Sequence, residues 1–259
     1  MLGLDVYSAV RTIGESGLDY IEIWGEVPHA FPDWVDKQRL KDSLSPFDLT
    51  VTLHAPFTDL NPATPFEPVK GAVQKTLVSF VKLGAFLGAS MITVHPGSVH
   101  SEGLVSQSAK SSVSTLRALV RESDGRLSIN LENQTKSKSK YHFPLASNEE
   151  SIDFLLANAE GTRFTLDTGH AHVNGIDPQT LAERLGSKLA EVHLSDNSGS
   201  SDDHLIPGEG NAPLAGYVAG LAKTDLLVCL ELDPHRYAPE KVLQAASETK
   251  AKLLAGAPG

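Results

Sequence analysis

Histidines and carboxylates recur at the ends of short apolar runs throughout this chain. The runs read Y-I-E-I-W, V-T-L-H, M-I-T-V-H, L-S-I-N-L-E, F-T-L-D, A-E-V-H-L and L-V-C-L-E. Together with the segments T-G-H and D-D-H, they supply nine candidate metal ligands: His54, His95, Glu132, Asp167, His170, His193, Asp202, His204 and Glu231. Imidazoles and carboxylates are preferred ligands of zinc, manganese and similar ions, and a carboxylate can bridge two ions. In D-T-G-H, Asp167 ends a predicted strand and His170 is expected to follow within one tight turn, where Gly169 allows dihedral angles denied to other residues. The pattern therefore predicts a divalent-metal site.

The elements that carry these residues alternate regularly between strands and helices. Apolar, β-branched runs without evident polar alternation predict strands buried on both faces near 20–24, 50–54, 91–95, 128–132, 163–167, 189–194 and 226–232. Helical spacing predicts helices near 5–16, 33–44, 66–88, 105–123, 148–159, 178–186, 212–222 and 239–255. Such alternation predicts βαβ units and a parallel α/β sheet, here a (β/α)8 barrel. In that architecture the carboxyl ends of all strands face one mouth, where the candidate ligands would converge.

The first strand of such a barrel is the weak point of the prediction. Only residues 1–4 precede the first predicted helix. Either a short stub closes the barrel or the first strand is truncated or missing. We therefore expect a degenerate first strand, with a weakened seam between the second and last strands.

Size and composition indicate an ordinary globular protein. A chain of 259 residues has the usual length of one (β/α)8 barrel, so we expect a single domain over residues 1–259. No apolar run approaches the ~20 residues that span a membrane, and no secretory signal is recognisable. The single cysteine, Cys229, lies within a predicted strand and fits a reducing cytoplasm. A cytoplasmic location is the expectation.

The charge distribution bears on the partners. The formal net charge of −10 disfavours nucleic acid and membrane surfaces, although bound cations would offset part of it. One basic segment, with Lys136, Lys138 and Lys140, follows the strand that ends at Glu132. Two interpretations of it remain open: a solvated flexible loop, or a phosphate-attracting lip on the catalytic face.

The motifs L-H-A-P-F-T-D-L-N-P, V-H-P-G, L-E-N, L-D-T-G-H-A, H-L-S-D-N and D-D-H-L-I-P-G-E-G resemble those of the xylose isomerase-like TIM barrels. This superfamily includes sugar isomerases and epimerases and also endonuclease IV, and the likeness covers nearly the whole chain. Resemblance to its epimerases implies one ion held by Glu132, Asp167, His193 and Glu231. Resemblance to endonuclease IV implies three zinc ions held by all nine candidate ligands. One to three divalent ions, zinc or manganese, are therefore expected.

Two reactions fit these ligands. In the preferred one, a sugar or sugar phosphate is isomerised or epimerised through an enediolate, with Glu132 and Glu231 as the proton-transferring carboxylates. In the alternative, a multinuclear zinc centre cleaves a phosphodiester, as in an abasic-site endonuclease. A non-catalytic, metal-stabilised barrel is disfavoured because structural sites are usually closed.

Further residues are candidates for contact with substrate. Trp24 and Phe57 could form an apolar wall against a sugar face, although core packing would equally explain Trp24. Lys136 and Lys138 could attract a phosphate. Glu209 could orient a ligating histidine or cap its loop.

DNA is disfavoured as a substrate by the segment W-G-E-V-P-H-A-F-P-D-W. Nucleic-acid affinity needs a basic face, and this loop offers Glu26 and Asp33 where endonuclease IV-like proteins carry basic and polar residues. The sequence leaves open the identity of the sugar, the metal and the oligomeric state.

Overall fold

The computed structural model describes residues 3–222 and 224–255 and contains a seven-stranded parallel sheet that curves into an open barrel. In sheet order the strands are β1 (Tyr20–Trp24), β2 (Thr50–His54), β3 (Met91–Val94), β5 (Ser128–Glu132), β7 (Thr162–Asp167), β8 (Leu189–Leu194) and β9 (Leu227–Leu230). Every neighbouring pair is parallel. The expected barrel is thus confirmed, and the strands begin and end within two residues of their predicted limits.

Helices connect the strands and cover the outside of the barrel. They are α1 (Val6–Gly14), α2 (Lys37–Leu44), α3 (Glu67–Leu87), α4 (Val105–Ser123), α5 (Glu149–Asn158), α6 (Thr168–Asn174), α7 (Pro178–Leu185), α8 (Leu214–Leu221) and α9 (Pro239–Ala255). Local sequence explains where several begin, since Asp5, Asn148 and Asp177 each accept a backbone N–H of the following first turn. No helix in the described ranges is long and apolar enough to cross a membrane.

Two features were not anticipated. A short antiparallel pair, β4 (Ser98–Val99) with β6 (Phe143–Pro144), lies in the segments that follow β3 and β5. The D-T-G-H segment, interpreted as a tight turn, is instead the start of α6, with Asp167 as its N-cap. A glycine is needed at position 169 for steric reasons, because a Cβ there would lie 2.5 Å from Ser195 Oγ. Its backbone does not adopt the left-handed conformation.

The inside of the barrel is polar, which corrects the prediction of strands without polar alternation. Outward-facing residues such as Leu53 and Ile129 are buried in the hydrophobic core. The inward positions instead carry buried residues that include Thr52, Thr93, Asn130, Thr165 and Glu191. These polar side chains are tolerated in the interior because they form hydrogen bonds with one another: Thr93 Oγ1 lies 2.7 Å from Thr165 Oγ1 and 2.8 Å from Glu191 Oε2.

The seam between β9 and β1 is open, as expected for a barrel with a missing strand. Each of these strands pairs with one neighbour in the described part of the chain, β9 with β8 and β1 with β2. Gly3 and Leu4 form a bend rather than a strand, and residues 1 and 2 lie outside the described residues. A cavity of about 780 Å³ occupies the seam, lined by β1, β9, α1 and α9 and reaching Glu22, His54 and Glu231.

Candidate metal centre

The carboxylate of Glu132, at the end of β5, lies at the middle of the predicted ligands. Its Oε2 is 3.1 Å from His54 Nε2 and 3.0 Å from His95 Nε2. Its Oε1 is 3.1 Å from His193 Nδ1 and 3.8 Å from His170 Nδ1. The side chain is fully buried. Each oxygen therefore faces a different set of imidazoles, so Glu132 could contribute a ligand to more than one ion.

All nine predicted ligands are contained in three overlapping groups, within each of which the ligand atoms lie within 4.8 Å of one another. The groups are His54, His95 and Glu132; Glu132, Asp167, His193 and Glu231; and His170, Asp202 and His204. They come together because parallel strands end at the same rim of the barrel: Asp167 lies opposite His193, and Glu132 opposite Thr165. The structure thus brings all nine residues to one mouth.

Three imidazoles are oriented by backbone carbonyl groups. The Nδ1 atoms of His54, His170 and His204 lie 2.9, 2.7 and 2.9 Å from carbonyl oxygens of Ala55, Asn133 and Glu231. Donation from Nδ1–H to a carbonyl leaves Nε2 free to accept a metal ion. Each Nε2 lies 3.1 Å from a carboxylate oxygen, that of Glu132 for His54 and of Asp202 for the other two. The rings are thus presented as ligands.

Buried oxygens without hydrogen-bond partners test whether a cation fits here. Among the described residues, Asp167 Oδ2, Asp202 Oδ1 and Glu231 Oε2 are buried atoms that make no hydrogen bond. A buried carboxylate oxygen without a partner is costly, and a divalent cation would provide the missing partner. Glu231 Oε2 also approaches His193 Nδ1 to 3.0 Å without hydrogen-bond alignment. The donor set and its unpartnered atoms fit a divalent metal.

The electrostatics of the protein without bound metal point the same way. Burial raises the pKa of Asp167 to about 7, against the opposing charge of His170. Burial acts to lower the pKa of His54, but the hydrogen bond and negative charge of Glu132 outweigh it and raise this pKa to about 9. Burial and the negative charges of Glu231, Asp202 and Glu132 outweigh the positive charge of His170, so the pKa of Asp167 stays raised and additional positive charge would favour its ionised form. A bound cation would supply that charge and displace the imidazole protons.

The loop that carries Asp202 and His204 is held by Asp196, a residue whose role the sequence analysis missed. Asp196 is buried and directly follows Ser195 at the end of the β8 segment. Its carboxylate accepts four backbone N–H groups, from Asn197 (2.8 Å), Gly208 (2.9 Å), Gly210 (3.1 Å) and Ala212 (3.0 Å). The H-L-S-D-N and P-G-E-G motifs contain three of these partners, and Ala212 follows two residues after the second motif, so their pairing was the available signal.

Asn133 positions a second part of the centre. Its side-chain amide donates to the carbonyl of Asp167 (2.9 Å), and its Oδ1 accepts the N–H of Asp167 (2.9 Å). Its own carbonyl lies 2.7 Å from His170 Nδ1. Asn133 therefore ties the end of β5 to the end of β7, next to two of the ligands.

The predicted aromatic residues lie beside the centre. Phe57 is 39% exposed and its ring stacks on that of His95. Trp24 lines the seam cavity, and its ring centroid is 5.4 Å from that of His29. Trp24 is therefore not packed in the closed core, and both rings are placed where a bound molecule could reach them.

The predicted polar substrate residues lie further out. Lys136 and Lys138 are exposed, and no ion pair joins either of them to another residue within the described ranges. Glu209 accepts a hydrogen bond from the hydroxyl of Tyr237 (2.6 Å) rather than orienting a histidine. Its observed partner therefore lies outside its own loop, in the segment that follows β9.

Glu26 does not lie on the surface, although the sequence argument against DNA counted it as part of an acidic face. It is buried, and its Oε1 accepts the backbone N–H groups of Phe57 (2.6 Å) and Thr58 (2.7 Å). Asp33 in the same loop is exposed. The acidic character of this surface thus rests on Asp33, and Glu26 holds the Phe57 loop in place.

Comparison with known proteins agrees with this architecture. Residues 10–252 match the model of the xylose isomerase-like TIM barrel family, and the chain belongs to that family. It is 30% identical to the uncharacterized protein MJ1311 of Methanocaldococcus jannaschii over 79% of this chain and 70% of that protein. It is 24% identical to the fructoselysine 3-epimerase of Shigella flexneri over 91% of this chain and 90% of the relative.

Among solved structures, a D-tagatose 3-epimerase-like protein superposes with a TM-score of 0.85 and 25% identity, covering 96% of this chain and 93% of the other. A D-psicose 3-epimerase from Clostridium cellulolyticum H10 has the same fold, with a TM-score of 0.75 and 14% identity over 97% of this chain and 95% of the other. The family expected from the sequence motifs is confirmed, and its named relatives include sugar epimerases.

Proposed function

We propose that this protein is a divalent-metal-dependent isomerase or epimerase that acts on a sugar or a sugar phosphate. One observation carries the proposal: the carboxylates of Glu132 and Glu231 converge with Asp167 and His193 in a single group of four ligands. The names of its epimerase relatives support the same class of reaction. The seam cavity of about 780 Å³, which reaches Glu231, lies in the size range of small-molecule sites.

When bound, a divalent cation would polarise the carbonyl and adjacent hydroxyl oxygens of the sugar and acidify the neighbouring C–H bond. Its holders would be Glu132, Asp167, His193 and Glu231. Zinc and manganese are the ions that this mixture of imidazole and carboxylate favours.

The two glutamates supply the proton transfers. Glu132 ends β5 and Glu231 follows β9, and two strands separate β5 from β9 in the sheet. A carbon held between them has a carboxylate on each side. One carboxylate removes the proton next to the carbonyl and leaves the electron pair in an enediolate, and the other returns a proton to the opposite face. The side chain of Glu231 is 27% exposed and that of Glu132 is fully buried, so we assign the first proton removal to Glu231.

The test is hydrogen exchange in deuterated water. The metal-loaded protein is incubated with a panel of ketoses and ketose phosphates, and deuterium is expected at the carbon next to the carbonyl. Glu231→Gln should abolish incorporation with the fold retained, whereas Glu160→Gln, at an exposed site after α5, should not change it. No incorporation from any ketose would refute the proposal, and turnover by Glu231→Gln would show that another group is the base.

A second candidate, an endonuclease IV-like zinc phosphodiesterase, is favoured by one specific observation. His54 and His95, and the group His170, Asp202 and His204, provide ligands beyond the four that a one-ion epimerase needs. The net charge of −10 and the exposed Asp33 oppose DNA as the substrate. Cleavage of duplex DNA at an abasic site by the zinc-loaded protein, combined with no label in any ketose, would establish this alternative.

A further inference from the structure

His193 differs from the other candidate ligands in what lies behind its ring. Its Nδ1 faces the centre, 3.1 Å from Glu132 Oε1 and 3.0 Å from Glu231 Oε2. Its Nε2 faces the interior of the barrel, where Glu22 Oε2 lies at 3.2 Å. The ring is fully buried and lies between carboxylates on both sides.

This arrangement reverses that of His54, His170 and His204. In those three residues Nδ1 meets a backbone carbonyl and Nε2 points to the ligand group. In His193 it is Nδ1 that points to the ligand group, and a carboxylate replaces the carbonyl. An anionic acceptor makes a ring more basic, and therefore a stronger ligand, than a neutral carbonyl does.

Glu22 is the carboxylate available for this role. Its side chain is 8% exposed, and its Oε1 is a buried atom with no hydrogen-bond partner among the described residues. His193 Nε2 is likewise buried and makes no aligned hydrogen bond there, although the two side chains are in ion-pair contact.

Glu191 is the competing acceptor, and its position and contacts exclude it. Its Oε2 is 3.9 Å from His193 Nε2. Both of its oxygens already accept hydrogen bonds from hydroxyl groups: Tyr20 and Thr52 bond to Oε1, and Thr93 and Thr165 bond to Oε2. Glu191 thus belongs to the polar network inside the barrel, and Glu22 remains free to pair with the ring.

We propose that Glu22 is a positioning residue for the metal centre: it accepts the Nε2–H of His193 and so fixes the ring with Nδ1 presented to the ion. The inference rests on the proposed metal centre and not on the identity of the substrate. The Y-I-E-I-W motif places Glu22 in β1, directly beside the open seam, so this support comes from the strand at the edge of the sheet.

Zinc affinity of the full-length metal-free protein, measured by competition with a chromophoric chelator, tests the role without an activity assay. Glu22→Ala should weaken binding at the tightest site by about 10–100-fold, the usual effect of removing a carboxylate behind a ligating histidine. Glu22→Gln, which keeps an acceptor oxygen but no charge, should lose less zinc affinity.

The matched control is Glu191→Gln, which removes a neighbouring buried carboxylate and should retain zinc affinity within about threefold of the unsubstituted protein. Equal losses in Glu22→Gln and Glu191→Gln would show a general charge effect and overturn the proposal.

The ring protonation of His193 provides a readout that does not depend on how the variants fold. In the zinc-loaded, unsubstituted protein labelled with ¹⁵N-histidine, long-range ¹H–¹⁵N spectra should show His193 with a proton on Nε2 and zinc on Nδ1. The opposite tautomer would overturn the proposal outright. Failure to bind any zinc would remove the metal centre as a whole, whereas zinc binding with unaltered affinity in Glu22→Ala would overturn the role of Glu22 alone.

Discussion

The phenyl ring of Phe57 lies nearly parallel to the imidazole of His95, with ring centroids 4.5 Å apart and an interplanar angle of 15°. It also meets the ring of His54 edge-on at 5.7 Å. Because Phe57 is 39% exposed, part of it remains open beside two candidate ligands. This aromatic side chain is thus both a support for the centre and a surface that a substrate could contact.

Replacing Phe57 by alanine is expected to raise KM by about 2–10-fold for the ketose that incorporates deuterium in the exchange experiment. The reason is that an aromatic contact contributes about 0.5–1.5 kcal/mol in addition to the free energy of burying its apolar surface. Steady-state kinetics measure the effect. Phe66→Ala, at a residue that is 65% exposed and outside the centre, is the control and should leave KM unchanged. An unaltered KM in Phe57→Ala would argue against contact with substrate.

Glu26→Ala should lower the free energy of unfolding by about 1–3 kcal/mol, because the N–H groups of Phe57 and Thr58 lose their shared acceptor. Urea denaturation followed by circular dichroism measures this change. Glu26→Gln keeps an acceptor oxygen and should cost less. Equal stability of Glu26→Ala and the unsubstituted protein would mean that the two N–H groups find other partners.

Asp196→Ala should remove the metal ion of the group that contains Asp202 and His204 and leave the other groups occupied. Four backbone N–H groups lose their acceptor, so the loop that carries the two ligands is no longer held. Metal content per chain, measured by mass spectrometry of the purified protein, provides the readout. Glu160→Ala removes an exposed carboxylate after α5, outside this loop, and should retain the full content. Equal metal content in both variants would contradict the anchoring role.

The purified protein is expected to contain more than one divalent ion per chain, and chelation should lower its Tm because ligands that bind only the folded state stabilise it. His95→Ala should reduce the metal content, since His95 Nε2 lies 3.0 Å from Glu132. His142→Ala, at a histidine paired with Ser98 outside the centre, should not. A content of one ion or fewer that His95→Ala leaves unchanged would disprove the multinuclear site.

Gly97→Ala should destabilise the protein by about 1–3 kcal/mol through forced overpacking. Gly97 has a φ of +89°, and an added Cβ would lie 2.8 Å from the backbone nitrogen of Ala63. Gly71 in α3 has open space around it, so Gly71→Ala is the matched control and should stabilise by about 0.5–1 kcal/mol. Thermal unfolding of both variants measures the contrast. A neutral Gly97→Ala would show that the segment after β3 can shift to accommodate a methyl group.

Much of the fold was predictable because its signals are local. Each strand is a short apolar run, and seven of the nine candidate ligands stand at or just after the end of one, the exceptions being Asp202 and His204. Parallel strands bring such ends to one rim whatever the details of packing. The D-T-G-H segment shows the limit of local interpretation: its glycine indicated a turn, but the segment forms the start of α6, and the glycine is needed because Ser195 lies close to it.

The amino-acid sequence by itself determined the barrel, the gap at its first strand and the set of residues that could hold metal. Only the tertiary structure decided which ring nitrogen of each histidine faces the centre, that Glu22 lies behind His193, and that Glu26 is buried and accepts the backbone N–H groups of Phe57 and Thr58. The reason is physical. Strand periodicity and strand-end position depend on residues close in sequence, whereas these contacts join side chains that are far apart in sequence and meet only when the barrel has formed.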